Sequence, residues 1–523
     1  MVKGKHYKMK PAAVIGSVAI LFLFLVYILF NHSNSPGQSR SQGSPNTDLA
    51  NNKVEGAPES FVTLKMIMPG DQSSRMGDFV ENELNERLKK DLNMNLELTY
   101  IPWSNYQQKL ELALSTGEDY DLFWYGAPFV SVYSTKGYIQ PLDELLDQYG
   151  QDLIQHIPDE NFKQNRIDGK LWAIPSQAFT SAGKFSSVMV RQDLLEKVGM
   201  TDIKTISDLE QFYQSMHAID PSYYGYLETD RGHELLWREL TDRNYSSLDE
   251  RMLFMVDEDS GEMLSYVESD LFKKVAQLRE SWVNKGIIDK NLVGNPAAKI
   301  DQENAGKLLF RVGAVSRAME NLQTARNADP NARLREYYLA TAKPKYITTP
   351  SNEAFMITSA SKNPERAMMF MNWILHSKEN YNFIIYGVEG KDYELENGKI
   401  KQLTNDQLMY EWMWRNKDYF IAPASVEDDI IDDMLKNDEN SRISKLFGFH
   451  FNEAPVKNEI AQVMAVYKEK FEPINFGLAS YNQYYEDALA ALKKAGFDIV
   501  FAELKKQFSE FKLQARSGED NPS

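Results

Sequence analysis

The chain of 523 residues contains no cysteine. Disulfides, thiolate zinc sites, iron–sulfur clusters and cysteine nucleophiles are thereby excluded, as is lipid attachment through a thiol. Histidine is scarce. The seven are His6, His32, His156, His217, His233, His376 and His450, and no two have the H-x-x-x-H spacing of a zinc protease. No G-x-S-x-G elbow, G-x-x-x-x-G-K-[ST] loop or G-x-G-x-x-G turn after a strand occurs. Positive charge is in deficit: 58 Lys and Arg stand against 75 Asp and Glu, a net charge of −17. Such a chain repels phosphate backbones, so no nucleic-acid partner is expected. The hairpin-like stretch Asp257–Gly261 has its glycine one position too early for an EF-hand loop. No metal, no cofactor and no catalytic residue is therefore expected. Glu118-Asp119 and Asp428-Asp429 read as solvated loop charges. A glycosidase carboxylate pair is defined by separation in space, so a carbohydrate-active enzyme stays open as an alternative.

Aromatic residues, in contrast, are plentiful at 12%, with 27 Tyr, 27 Phe and 8 Trp. They are the first pointer to a ligand with flat apolar faces. At about 150 residues per domain, the length allows two to four folding units.

Lys3, Lys5, Lys8 and Lys10 mark residues 1–11 as a basic cytoplasmic tip. An uncharged run of 19 residues follows over 12–30. At about 1.5 Å per residue it matches the hydrocarbon thickness of a bilayer. It ends Tyr27-Ile28-Leu29-Phe30 without a small-residue cleavage site, so it reads as a transmembrane signal anchor. The lysines precede it, which puts the body on the extracellular side. Residues 31–58, rich in Ser, Asn, Gly and Pro, read as a flexible tether.

Beyond the tether, Val62, Leu64 and Met66 alternate as a strand ending at Pro69-Gly70. Val80, Leu84 and Leu88 make a helix stripe, and Leu96, Leu98 and Tyr100 alternate in a second strand. Ser104 to Gln107 has capping-box spacing before a helix stopped at Gly117, and Asp121 to Gly126 reads as a buried strand. This β-α-β-α-β order implies a parallel sheet with right-handed crossovers. Further strands are expected at Ser187–Val190 and Ala354–Ile357. A helix opens at Asn363-Pro364-Glu365, a hairpin turns at Glu396–Lys399, and helical stripes fill the tail.

The segments IPWSNYQQKLELALSTGEDYDLFWYG (101–126), GYIQPLDELLDQYG (137–150), DGKLWAIP (168–175) and VMVRQDLLEKVGM (188–200) resemble extracellular solute-binding proteins of ABC transporters, carbohydrate type. SASKNPERAMMFMNWIL (359–375), YGVEGKDYEL (386–395) and the tail over 447–508 resemble a Gram-positive subgroup, lipoproteins of complex-saccharide importers with their own C-terminal domain. Their order and spacing carry the likeness, which spans about 60–515. The subgroup's lipobox cysteine is absent, and the helical anchor stands in its place.

The resemblance implies an α/β fold of the periplasmic-binding-protein type II. It has two hinged lobes with mixed or parallel sheets, extra C-terminal helices and, here, the N-terminal anchor. The expected boundaries are 59–175 for lobe 1, 176–350 for lobe 2 and 351–395 for the return to lobe 1. Residues 396–515 hold a third crossing, the completion of lobe 2 and the C-terminal helices, and 516–523 form a disordered tail. The implied function is capture of a saccharide, or another polar small molecule, between the lobes and delivery to ABC permease subunits; the alternative is a sensing subunit for a membrane receptor or kinase. Ligand would sit at the carboxyl ends of the strands, where rings match sugar C–H faces and polar side chains match hydroxyls. The candidates are Trp103, Trp124, Tyr125, Gln177, Phe179, Trp237, Arg238, Asn352, Glu353, Trp412 and Trp414.

Overall fold

The computed structural model describes residues 60–177, 182–183, 186–225, 233–248, 253–293, 305–313, 318–349, 353–404 and 408–519. The expected tip, anchor and tether lie outside these residues, as do Phe179 and Asn352. Among the described residues, no helix is long and apolar enough to cross a membrane.

Strand β1 (Val62–Pro69) pairs in parallel with β2 (Met94–Ile101) and β3 (Leu122–Gly126), as the alternation predicts. Glu353–Ile357 pairs antiparallel with β3, and Ile174–Pro175 pairs antiparallel with it in turn, so the five-stranded sheet is mixed with one reversed strand. Leu64, Met66, Ile67 and Met68 of β1 are all buried, because a central strand with helices on both faces leaves neither side to water. The helix Pro364–His376 packs Ala367, Met371, Ile374 and Leu375 into the same core. The capping box expected at Ser104 does not form. Residues Trp103–Asn105 wind into a 3-10 turn, so the cap position falls to Asn105, whose side chain makes no capping bond.

A second sheet has Ser187–Arg191 at its centre, flanked antiparallel by Phe310–Gly313 and Leu334–Tyr337. Its core extends through the C-terminal helices: Phe254 stacks on Phe497 and Phe501, both at 5.3 Å, and Phe272 meets Phe471, Tyr481 and Tyr485. Gly477 permits that docking. Its φ is +72°, and a Cβ there would overlap the Arg279 and Glu280 backbone. The last helix runs Phe497–Glu519, so the expected tail boundary at 516 falls inside a helix.

The two cores are interleaved in sequence. The first takes residues between 64 and 174 and between 354 and 414; the second takes 188 to 339 and 446 to 508. The chain therefore passes between them three times. Ile400, Leu408, Met409, Met413 and Trp414 pack in the first core, so the packing differs from the expected boundary at 396. The passes are tied to one another. Gly183 N donates to Tyr346 O at 3.0 Å, Ala182 N to Asp438 Oδ1 at 2.8 Å, and Asn437 Nδ2 to Ala182 O at 2.8 Å. Tyr346–Ile347 pairs in parallel with Arg442–Ile443.

Where the first pass enters the second sheet, the Glu234 carboxylate accepts from Ser247 N at 2.7 Å and Ser186 Oγ at 3.1 Å. Burial pushes this carboxyl up to about 7, against the pull of those two donors. The folded state thus holds a proton that the unfolded state has released, and stability falls as pH rises from about 4.5 through about 7. The Glu234→Gln variant should lose less stability than the parent between about pH 5 and about pH 7.5, by roughly 1–3 kcal/mol in urea denaturation. Parallel pH profiles for the two would contradict this.

Candidate ligand-binding site

The carboxyl ends of β1, β2 and β3 and the first residue of Glu353–Ile357 meet at one edge of the first sheet, because Pro69 pairs with Ile101 and Gly126 with Glu353. Each strand end delivers an aromatic or polar group to that edge. Trp103, just beyond β2, is 52% exposed. Trp124 near the end of β3 is 5.8 Å from it, edge to face. Its Nε1 donates to Glu353 Oε2 at 3.1 Å, which fixes the indole. Tyr106 stacks on Tyr125 at 5.8 Å and donates its hydroxyl to Trp124 O at 2.5 Å.

A distant segment completes the arrangement. Trp412 lies 4.9 Å from Trp124 and 5.9 Å from Trp103, and Tyr410 stacks on Trp412 at 5.5 Å. Tyr410 and Trp103 are 6.3 Å apart, so the four rings form a continuous wall. Tyr410 fits only because residue 70 is glycine: its φ is +106°, and a Cβ there would overlap the Tyr410 hydroxyl. Burial raises the Tyr410 phenol above its ordinary range; a hydrogen bond with Trp103 opposes the shift and nearby Asp71 adds to it. The hydroxyl stays protonated at neutral pH.

The structure thus brings Trp103, Trp124, Tyr125, Glu353 and Trp412 together and adds Tyr410, Tyr106 and Gly70, which the sequence reading missed. A ring at every second position of Tyr410-Glu411-Trp412-Met413-Trp414 was the available signal. The other candidates lie elsewhere. Trp414 is buried, stacked on Phe355 at 3.8 Å. The Glu411–Met413 3-10 turn sends Trp412 and Trp414 to different neighbours. Gln177 sits on the first pass: its N–H donates to Arg415 O and its Oε1 accepts from Lys417 N, both at 2.9 Å. Trp237 is inside the second core, 4.8 Å from Tyr266. Arg238 donates to the carbonyls of Leu339, Ala340, Lys343 and Pro344, clamping the loop before the second pass. These four are tied up in packing and backbone support rather than presented at the sheet edge.

Two cavities lie away from the wall, one lined by Met189, Arg191, Phe310 and Leu334, the other by Glu234, Arg238, Lys343 and Tyr346. Their charged groups already serve protein partners, for example Arg191 with Asp193 and Asp329, so both read as gaps in the packing.

Residues 83–386 match the bacterial extracellular solute-binding protein family. The chain belongs to that family. Its members bind solutes and are not enzymes. Residues 445–513 match a domain of unknown function, DUF3502. A carbohydrate ABC transporter substrate-binding protein of Streptococcus pneumoniae is 23% identical over 86% of this chain and 90% of its own length. The crystal structure of the N-glycan transport solute-binding protein NgtS, also from Streptococcus pneumoniae, superimposes with a TM-score of 0.72 at 21% identity, covering 86% of this chain and 98% of that one. The alginate-binding protein AlgQ2 gives a TM-score of 0.63 at 18% identity, covering 86% and 99%.

The two classes of tryptophan should separate by stability. Trp103→Ala should change the unfolding free energy by less than about 0.5 kcal/mol, as at an exposed site. Trp414→Ala should cost about 3–5 kcal/mol through the cavity it leaves. Urea denaturation measures both, and equal losses would contradict the assignment.

Proposed function

We propose that this binding protein captures an oligosaccharide between its two cores and delivers it to the permease of an ABC importer. The observation that carries the reading is the ring wall, assembled from three separate chain segments at the strand ends where open α/β sheets bind ligands. Trp103, Trp412 and Tyr410 offer faces for sugar C–H groups. Glu353, which also steadies Trp124, offers carboxylate oxygens to hydroxyl donors. Trp124 and Tyr125 support the wall from beneath, and Gln177 couples it to the first pass. The related NgtS has been crystallised with Man5GlcNAc, which fits a saccharide ligand.

Capture then works by differential contact. The segment that bears Tyr410 and Trp412 packs on the first core and leads directly into the third pass, which is hydrogen-bonded to the first pass at Gln177. A ligand that touches the wall and the second core together favours the closed arrangement over the open one by the contacts made only when closed. The anchor over 12–30 would hold the body at the outer membrane face, within reach of the permease.

Calorimetric titration with a panel of neutral oligosaccharides tests this. Saturable binding without hydrolysis products is expected, and Trp412→Ala should weaken it at least tenfold, about 1.4 kcal/mol. Cleavage of the sugar, or an unchanged affinity in that variant, would contradict the reading.

A further inference from the structure

The three passes meet at one side chain. Asn437 follows the helix Asp428–Lys436 on the third pass and is buried. Its Nδ2 donates to Ala182 O on the first pass at 2.8 Å. Its Oδ1 accepts from Lys345 Nζ on the second pass at 2.8 Å and from the Tyr338 hydroxyl at 3.0 Å. The same ammonium donates to the Asn437 main-chain carbonyl, an acceptor at a helix C-terminus, where a cation also suits the helix dipole. The next residue completes the grip on the first pass: Asp438 Oδ1 accepts from Ala182 N at 2.8 Å. Both main-chain groups of Ala182 are thus held by consecutive side chains of the third pass.

Tyr338 fixes this node to the second core. It directly follows the strand Leu334–Tyr337 and packs with Leu322, Val426, Ile431 and Met434. Lys345 Nζ lies over its ring at 5.2 Å, and the Arg238 guanidinium at 5.7 Å. Gly183 of the first pass lies against the same ring: its φ is +64°, and a Cβ there would come within 2.8 Å of a ring carbon. None of these groups belongs to the ring wall.

An amide donates and accepts at once, so one side chain can serve a carbonyl on one pass and two donors from elsewhere. Sliding one pass against another breaks these bonds together and leaves buried polar groups without partners, which is costly. We propose that Asn437 is a positioning residue for capture: it clamps the three passes to the second core so that they turn as one, and it holds the unliganded cores in a narrow range of separations. The proposal rests on the two-core capture reading above. It lets Asn437 set affinity without touching the ligand, because a preorganised pair of cores leaves less ordering for the ligand to impose.

The test uses the absence of cysteine. Leu112→Cys on the first core and Ile219→Cys on the second, both at exposed positions, give one spin-label pair in the full chain. Double electron–electron resonance should report a narrow distance distribution without sugar. Asn437→Ala should broaden it and weaken calorimetric binding of Man5GlcNAc by about tenfold. Asn437→Asp keeps the acceptor for Tyr338 and Lys345 and loses only the donor to Ala182, so it should fall between the two. Trp412→Ala should weaken binding and leave the distribution as narrow as the parent's, a pattern that separates a wall residue from the clamp. The unfolding midpoint is measured for each variant. If Asn437→Ala does not fold, Tyr338→Phe, which removes one bond to the node and keeps the ring, should broaden the distribution in its place. A variant of the node that is folded and as narrow as the parent would overturn the proposal. If the parent binds no sugar at all, the saccharide reading fails, and the unliganded distribution still decides the clamp.

Discussion

Trp414 lies flat on Phe355, 3.8 Å between ring centroids and 19° from parallel, with Phe370 against its edge. A buried indole contributes about 150–250 Å² of apolar contact, and such stacks add about 0.5–1.5 kcal/mol beyond the area term. This contact holds the 408–417 segment on the first core. Next to it in sequence, the 3-10 turn over Glu411–Met413 carries Trp412 against Trp103 and Trp124, with Tyr410 stacked on Trp412. On the far side, Arg415 and Lys417 meet Gln177. The same short segment is therefore a core plug, half of the ring wall and a connection between the two cores.

That economy bears on mechanism. Three passes join the cores, and they are cross-linked by backbone hydrogen bonds at Gln177, Gly183 and Tyr346. Outside the passes, His450 Nε2 also meets Gln164 O at 2.7 Å, which ties the C-terminal part of the second core to the first. Tyr410 and Trp412 stand only a few residues from Arg415 and Lys417, whose backbone groups tie this segment to the first pass. Burial of Glu234 at the entry to the second sheet places a titrating group at the foot of the first pass, although its role there is structural support of Ser186 and Ser247.

The residues differ in how legible they were. Period-two alternation located β1, β2 and β3, and the rule that open α/β sheets bind ligand at their strand ends placed Trp103 and Trp124 at the relevant edge. Asn363-Pro364-Glu365 marked a helix start from chemistry local to a few residues. Tyr410 carried a signal, a ring at every second position up to Trp414, but its fit against Gly70 was not legible, because the two are remote in sequence and meet only by tertiary approach. Trp237 and Arg238 looked alike on a helical stretch, yet one fills the second core and the other holds four carbonyls; burial and partners decide such cases, not spacing. The 3-10 turns at Trp103 and Glu411 displaced one expected cap and separated two tryptophans that spacing had grouped.

A crystal structure of the protein grown with a neutral oligosaccharide established as a ligand by calorimetry tests the central claim most directly. The expected result is a sugar ring lying face-on to Trp103, Trp412 or Tyr410, with a hydroxyl donating to Glu353 and the second core contacting the sugar's other side. Sugar density seated only in the cavity beside Glu234 or on the outer surface, with the four rings untouched, would contradict it.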